Sequence, residues 1–208
     1  MAKALFAEEP GWRARLQSVR PVICPFDRVL QCIPANANVL DIGCGAGLVL
    51  GLLARSGRIA NAVGIDADAN ALQSALRMAK RVLPTHLEFR HTGSTVDWPT
   101  TLFDCVLLID VLHHIAPRAQ NSFALAAMDR VRPGGRFIYK DMASRPLVHA
   151  LANRAHDLVL AREWIHYVAP EHMVQLARSR GFVLTHREHV RRLWYAHDLL
   201  VFDRVGGA

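Results

Sequence analysis

Three kinds of residue stand where they could do chemistry. They are glycines at alternate positions (Gly43, Gly45, Gly47), carboxylates at the ends of apolar runs (Asp41, Asp66, Asp110) and a histidine pair (His113, His114). The glycines follow the short apolar run of VLDIGCGAG and precede the apolar LVLGLLA, which reads as strand, tight turn and helix start. Glycine permits positive φ and lets a ligand approach where a Cβ would stand. The helix start adds free N–H donors and a positive dipole end. Such a turn suits a nucleotide-like ligand. Spacing narrows the choice. A dinucleotide fingerprint needs a third glycine three residues after Gly45, where Leu48 stands, and no G-x-x-x-x-G-K-[ST] occurs.

Asp66 closes the apolar AVGI, 19 residues past Gly47. In nucleotide-binding α/β folds a carboxylate at that place accepts hydrogen bonds from both ribose hydroxyls. The plainer role of a lone Asp is a helix cap, and Asp68 is the candidate for that, heading a helix over 70–82. FDCVLLID reads as a strand buried on both faces and ends in Asp110; VLHHI follows. Ligands bind at strand C-terminal ends in open α/β sheets, so Asp110 with His113 or His114 would border the reacting atoms. An imidazole can take a proton from a hydroxyl near neutral pH, whereas the other histidine of the pair would pack on the next helix.

VLDIGCGAG resembles motif I of the class I S-adenosylmethionine-dependent methyltransferases, and VGIDAD, VLHHI and VRPGGRFIYKD resemble later segments of the same family. The resemblance is specific over about residues 35–142 and implies S-adenosylmethionine as cofactor. Asp41, Gly43, Cys44, Gly45 and Gly47 would hold its amino acid end, and Asp66 with Ala67 its ribose. Gly93 and Ser94 would lie near the adenine, with Ser94 where the family usually has an acid. Asp110 would stand near the sulfonium. The implied fold is a three-layer Rossmann-like α/β sandwich, its seven-stranded sheet mostly parallel with an antiparallel last strand. Residues 1–34 would form a helical flap and 35–208 the catalytic domain, with 145–180 the acceptor-specificity segment.

The elements that must position these residues are legible in order. Trp12, Leu16 and Val19 suggest a helix over 1–20 ended by Pro21 and Pro25, and Phe26–Cys32 a second. Strands are expected over 39–42, 62–65, 87–91, 103–109 and 137–141, and in GFVLTHREHV and HDLLVFDR. Helices are expected over 119–131, 145–163 and 171–180, the last stopped by Gly181. Lys140 and Asp141 stand at a strand end and either face the pocket or pair with each other at the surface. His149, Asn153 and His156 share one helix face, either solvated or lining an acceptor pocket. Trp164, His166 and Tyr167 precede the 171–180 helix as pocket residues or as a hydrophobic staple.

Composition bounds the rest. A chain of 208 residues suits one α/β domain. The opening MAKALFAEEPGWR is a poor secretion signal, no apolar run approaches a membrane span, and a cytoplasmic location is expected. Cys24, Cys32, Cys44 and Cys105 lack metal-site or paired spacing and read as free thiols; no metal is expected. The net charge is +7, carried by 22 Arg and 3 Lys without runs, and eight arginines fall between Arg145 and Arg192. Scattered arginines read first as a solvated face, although this third could dock an acidic acyl carrier protein. No N/D-P-P-Y/F stands at the fourth strand, where amino-group and nucleic-acid enzymes of the resembled family often carry it, and no acidic triad for a metal is evident; the resemblance thus argues against an adenine-amine acceptor and against the magnesium-dependent catechol type. The expected reaction is O- or C-methylation of a small aromatic or polyketide-like acceptor in secondary metabolite or pigment biosynthesis. RNA methylation and a non-catalytic binding module are the rivals.

Overall fold

The computed structural model describes residues 2–7, 19–82, 85–143, 166–193 and 195–206. Seven strands form one sheet: β1 Ala37–Ile42, β2 Ile59–Asp66, β3 His86–His91, β4 Phe103–Ile109, β5 Val131–Met142, β6 Phe182–Arg192 and β7 Tyr195–Arg204. Their order is β3-β2-β1-β4-β5-β7-β6. β1 to β5 pair in parallel, and β7 runs antiparallel to both of its neighbours. The helices are α1 Ala2–Leu5, α2 Phe26–Cys32, α3 Leu48–Arg55, α4 Ala69–Ala79, α5 Pro117–Met128 and α6 Pro170–Arg178. This is the mostly parallel seven-stranded sheet that the motifs imply.

Alternation along the central strands divides the core. Cys105, Leu107 and Ile109 of β4 join Ile138 of β5 on one face, under Phe26, Val29, Leu50, Leu53 and Met78. Val106 and Leu108 join Phe137 and Tyr139 on the other, under Ala124, Ala127, Met128 and Met173. Successive strand side chains point to opposite faces, so a stretch covered on both sides must be apolar at every position, as β4 is from Cys105 to Ile109.

Local signals place the element ends. The Asp68 side chain accepts from the Asn70 N–H and caps α4. Gly181, at φ +74, follows α6. α5 begins with Pro117 and stops at Met128, shorter than expected, because Val131 already pairs with Phe103 in β5. The expected turn at Val131–Arg136 is a bulge: Phe103 faces Val131, Cys105 faces Arg136, and Gly134 turns the extra residues at φ +70. Pro21 does not end a helix, since residues 19–23 are helical and the break comes at Cys24–Pro25. A proline φ is compatible with a helix and removes only one donor where the preceding turn can absorb the ring. The expected helix over 145–163, with His149, Asn153 and His156, lies outside the described residues, as do most of the residues expected in the first helix.

Candidate active site

The strand order reverses between β1 and β4, whose C-terminal ends open a crevice there. Gly43, Cys44, Gly45 and Gly47 wind its floor, the three glycines at φ +73, +55 and +74. At Gly43 a Cβ would stand 2.3 Å from a methyl of Val111, so the loop after β1 and the turn after β4 are in direct contact. Gly47 is the left-handed residue that opens α3, and a Cβ there would strike Met78 and Phe89 at 2.8 and 2.9 Å. Gly45 meets only the tip of Arg20, at 3.9 Å, and so leaves room above the loop.

Asp66 ties the loop to β2. One carboxylate oxygen accepts from the Gly45 N–H at 2.6 Å and the other from the Asp68 N–H at 2.8 Å. Each oxygen keeps a further lone pair, as a diol ligand requires. Ala67 is exposed beside it and its carbonyl meets the His91 ring at 3.0 Å. Gly93 and Ser94 follow β3 at the crevice edge, where the Ser94 hydroxyl caps the Val96 N–H of a short 3-10 turn at 3.4 Å. The Cys44 thiol is buried, and burial with the nearby Asp41 and Asp66 carboxylates raises its pKa far above the usual range, which makes it inert.

Asp41 is 3% exposed, and burial, reinforced by Asp66 and opposed by Arg20, pushes its carboxyl up to about 8. The folded pKa lies above the unfolded one, so the proton it holds stabilises the fold fully below the unfolded carboxylate range. That contribution is lost as pH rises towards 8. A ligand bringing an ammonium to Asp41 must displace this proton. Affinity for S-adenosylhomocysteine should therefore climb roughly tenfold per pH unit between about 6 and 8, with about one proton released per ligand. Titration calorimetry in buffers of differing ionisation enthalpy measures both; a flat affinity without proton release would remove Asp41 from the ligand's charged end.

Lys140 and Asp141 neither pair with each other nor lie at the surface, since neighbouring residues in a strand face opposite ways. Lys140 is 0% exposed and donates to both oxygens of Asp110, at 2.6 and 2.7 Å. The backbone closes the same pair, with the Asp110 N–H donating to the Lys140 carbonyl at 2.8 Å. Asp110 sits in left-handed backbone at φ +56, which Asp tolerates better than most residues. Burial alone would raise its carboxyl, but Lys140 outweighs it and holds the group well below the usual carboxylate range. The Cys24 thiol also donates to it at 3.7 Å. His197 of β7 lies in the same neighbourhood and donates from Nε2 to the Ile23 carbonyl at 2.9 Å. Burial, then Lys140, lowers its pKa to about 4.

On the opposite face Asp141, 3% exposed, receives four donors. They are His113 Nδ1, the His113 N–H at 3.2 Å, the Met142 N–H at 2.8 Å and the Tyr139 hydroxyl at 3.4 Å. A carboxylate accepting from Nδ1 selects the tautomer that leaves Nε2 as the basic nitrogen of His113. His113 is 1% exposed; His114 is exposed, its ring 4.0 Å from that of His113. His166 reaches this turn through its peptide, its N–H donating to the His113 carbonyl at 2.9 Å, and Tyr167 follows half-buried. These contacts link the ends and following loops of β1, β2, β4 and β5, where the other expected site residues stand beside Gly93 and Ser94 after β3; His149 lies outside the described residues.

Two residues escape sequence reasoning. Arg20 lies over the Phe26 ring at 5.9 Å and beside Gly45 and Asp41, yet nothing local in its sequence marks it. Gln120 is buried on α5 with Ala124, Ala127 and Met128, a helical spacing that could have flagged a polar residue on an apolar face. A separate cleft of about 400 Å³, bordered by Asp104, Arg132, Arg136 and Asp203, opens at the other end of the strands. Its charges pair with one another, Arg132 with Asp104 and Arg136 with Asp203.

The residues fit S-adenosylmethionine: a floor where Cβ atoms are excluded, an acid positioned for a diol, and a buried carboxyl and a guanidinium at the charged end. The methyltransferase domain family matches residues 16–187. The ubiquinone biosynthesis O-methyltransferase of Ruegeria pomeroyi is 30% identical over 171 residues, covering 78% of this chain and 67% of that protein. Its counterpart in Nitrobacter winogradskyi is 29% identical over 188 residues, covering 85% and 69%. The chain thus spans about two thirds of the length of these relatives. Magnesium protoporphyrin IX methyltransferase from Synechocystis, solved with bound S-adenosylhomocysteine, shares the fold at a TM-score of 0.73 and 16% identity, over 97% of this chain and 92% of that one. With the glycine turn after β1, Asp66 at the end of β2 and this family match in place, the chain belongs to the class I S-adenosylmethionine-dependent methyltransferases.

Proposed function

We propose that the chain O-methylates a hydroxyl of a small aromatic acceptor, with His113 as general base and Asp141 holding it. The observation that carries this reading is the buried His113–Asp141 pair at the C-terminal ends of β4 and β5. Bound S-adenosylmethionine supplies a methyl group on a cationic sulfur that departs as a neutral thioether. His113 Nε2 takes the hydroxyl proton as the acceptor oxygen forms its bond to that methyl. Positive charge therefore leaves the sulfur as it arises on the imidazole, and Asp141 opposes it there. Among the described residues no lysine pairs with Asp141, whereas Asp110, on the opposite face, is neutralised by Lys140. Holding nucleophile and methyl donor in line supplies much of the remaining rate.

The names of the matched relatives support an O-methyltransferase acting on a small molecule. A carrier-bound or pigment-pathway acceptor finds less support. Among the described arginines of the basic third, Arg180, Arg187 and Arg192 pair with Asp129, Glu171 and Asp27 of the chain itself. The test is methyl transfer from S-adenosylmethionine to a panel of phenols, catechols and hydroxybenzoates, read by mass spectrometry. Turnover to an aryl methyl ether is expected. Transfer to amines or RNA alone would overturn the reading.

A further inference from the structure

The turn that carries His113 is fastened from behind by one buried side chain. Gln120 is 8% exposed on α5. Its amide nitrogen donates to the Leu112 carbonyl at 3.0 Å and to the His166 carbonyl at 2.9 Å. The His166 N–H donates in turn to the His113 carbonyl. Both protons of one amide are therefore spent joining the turn over Leu112–His114 to the point where the chain returns at 166. The His113 peptide is gripped at both ends, its N–H by Asp141 and its carbonyl by His166. Without Gln120, the Leu112 carbonyl keeps only the Ile115 N–H that also donates to it, the half-buried His166 carbonyl loses its side-chain donor, and the tie between the turn and the returning chain is cut. The turn would then reorient to find water, and the imidazole would move with it. An apolar residue of the same size could fill the space and make neither bond.

We propose that Gln120 is a positioning residue that aligns the His113–Asp141 dyad by locking its turn to the returning chain at His166. The proposal rests on the reading of His113 as the base, and it places control of that geometry in α5. A consequence is that acceptor-side changes at 166–169 act on the base through the same three hydrogen bonds.

The test needs no acceptor. A histidine N–H held by a buried carboxylate gives a far-downfield proton resonance, assigned to His113 by its loss in Asp141→Asn. In Gln120→Met, close in volume but without donors, that proton should exchange with solvent at least about tenfold faster, while affinity for S-adenosylhomocysteine stays within about twofold. Gln120→Asn keeps a buried amide but withdraws it by one methylene, and should give the same loss should the Met variant fail to fold. Wild-type exchange in either folded variant overturns the proposal. Equal loss of S-adenosylhomocysteine binding also overturns it, since Gln120 would then support the whole crevice. Absence of any Asp141-sensitive resonance in the wild type would instead sink the dyad itself, and the two failures are distinguishable.

Discussion

Replacing His113 with Gln should lower the turnover number by roughly 10²–10⁴-fold, the usual worth of a positioned general base. Affinity for S-adenosylhomocysteine should stay within about twofold, because the loss falls on an interaction made only in the transition state. The argument is geometric. His113 presents a lone pair at Nε2 only because Nδ1 donates to Asp141, itself held by the Met142 N–H and the Tyr139 hydroxyl. Asp141→Asn should therefore cost a comparable factor: an amide nitrogen turned to Nδ1 would favour the opposite tautomer and put the proton on Nε2. Protonated imidazole cannot accept a proton, so an acid limb set by His113 in the wild type should be missing from His113→Gln. Kinetics across pH with the best phenolic acceptor check this. A variant with wild-type turnover and pH profile would remove His113 from the chemistry and leave proximity to do the work.

The second large effect is on stability. Lys140→Met leaves the Asp110 carboxylate buried without its cation, and removing one partner of a buried pair costs about 3–5 kcal/mol. Asp110 has its folded pKa depressed by Lys140, so the pair contributes stability above the unfolded carboxylate range, lost as pH falls through and below it. Without Lys140 the burial term acts alone and raises the pKa. The deficit of the variant should then shrink as the solution is acidified and Asp110 takes up a proton. Adding Asp110→Asn to Lys140→Met should recover much of the loss, since no uncompensated charge remains. Urea unfolding of the two variants at several pH values measures this; a loss below about 1 kcal/mol that is indifferent to pH would mean the pair behaves as a surface one.

What could be read from sequence divides along a physical line. The glycine turn after β1, the place of Asp66 at the end of β2 and the Asp68 cap were legible because each is a local pattern: residue types at fixed spacing beside a strand or helix end. The seven strands were legible for the same reason. The pairings were not. Asp110 meets Lys140 and His113 meets Asp141 across 30 and 28 residues, by virtue of how β4 registers against β5. Spacing within one strand does not carry that information, although alternation alone already forbids a mutual Lys140–Asp141 pair. The limits of α5 were misjudged because tertiary pairing claimed Val131 for the sheet. Arg20 was invisible because its role comes from where the 19–23 stretch lies on the crevice.

The opposite-facing placement of Lys140 and Asp141 makes strand registration part of the chemistry. β5 lies with Ile109 opposite Lys140, each residue committed to one side of the sheet. A slip of one position would carry Lys140 to the histidine side and Asp141 under the 19–24 stretch, beside Asp110. Two carboxylates would then share one buried space and a cation would face the imidazole. The misaligned strand would keep most of its apolar contacts, so hydrophobicity discriminates poorly between the two alignments. The charges discriminate strongly: the same four side chains that would catalyse and brace the finished enzyme act as a proofreading key for the alignment of its central strands.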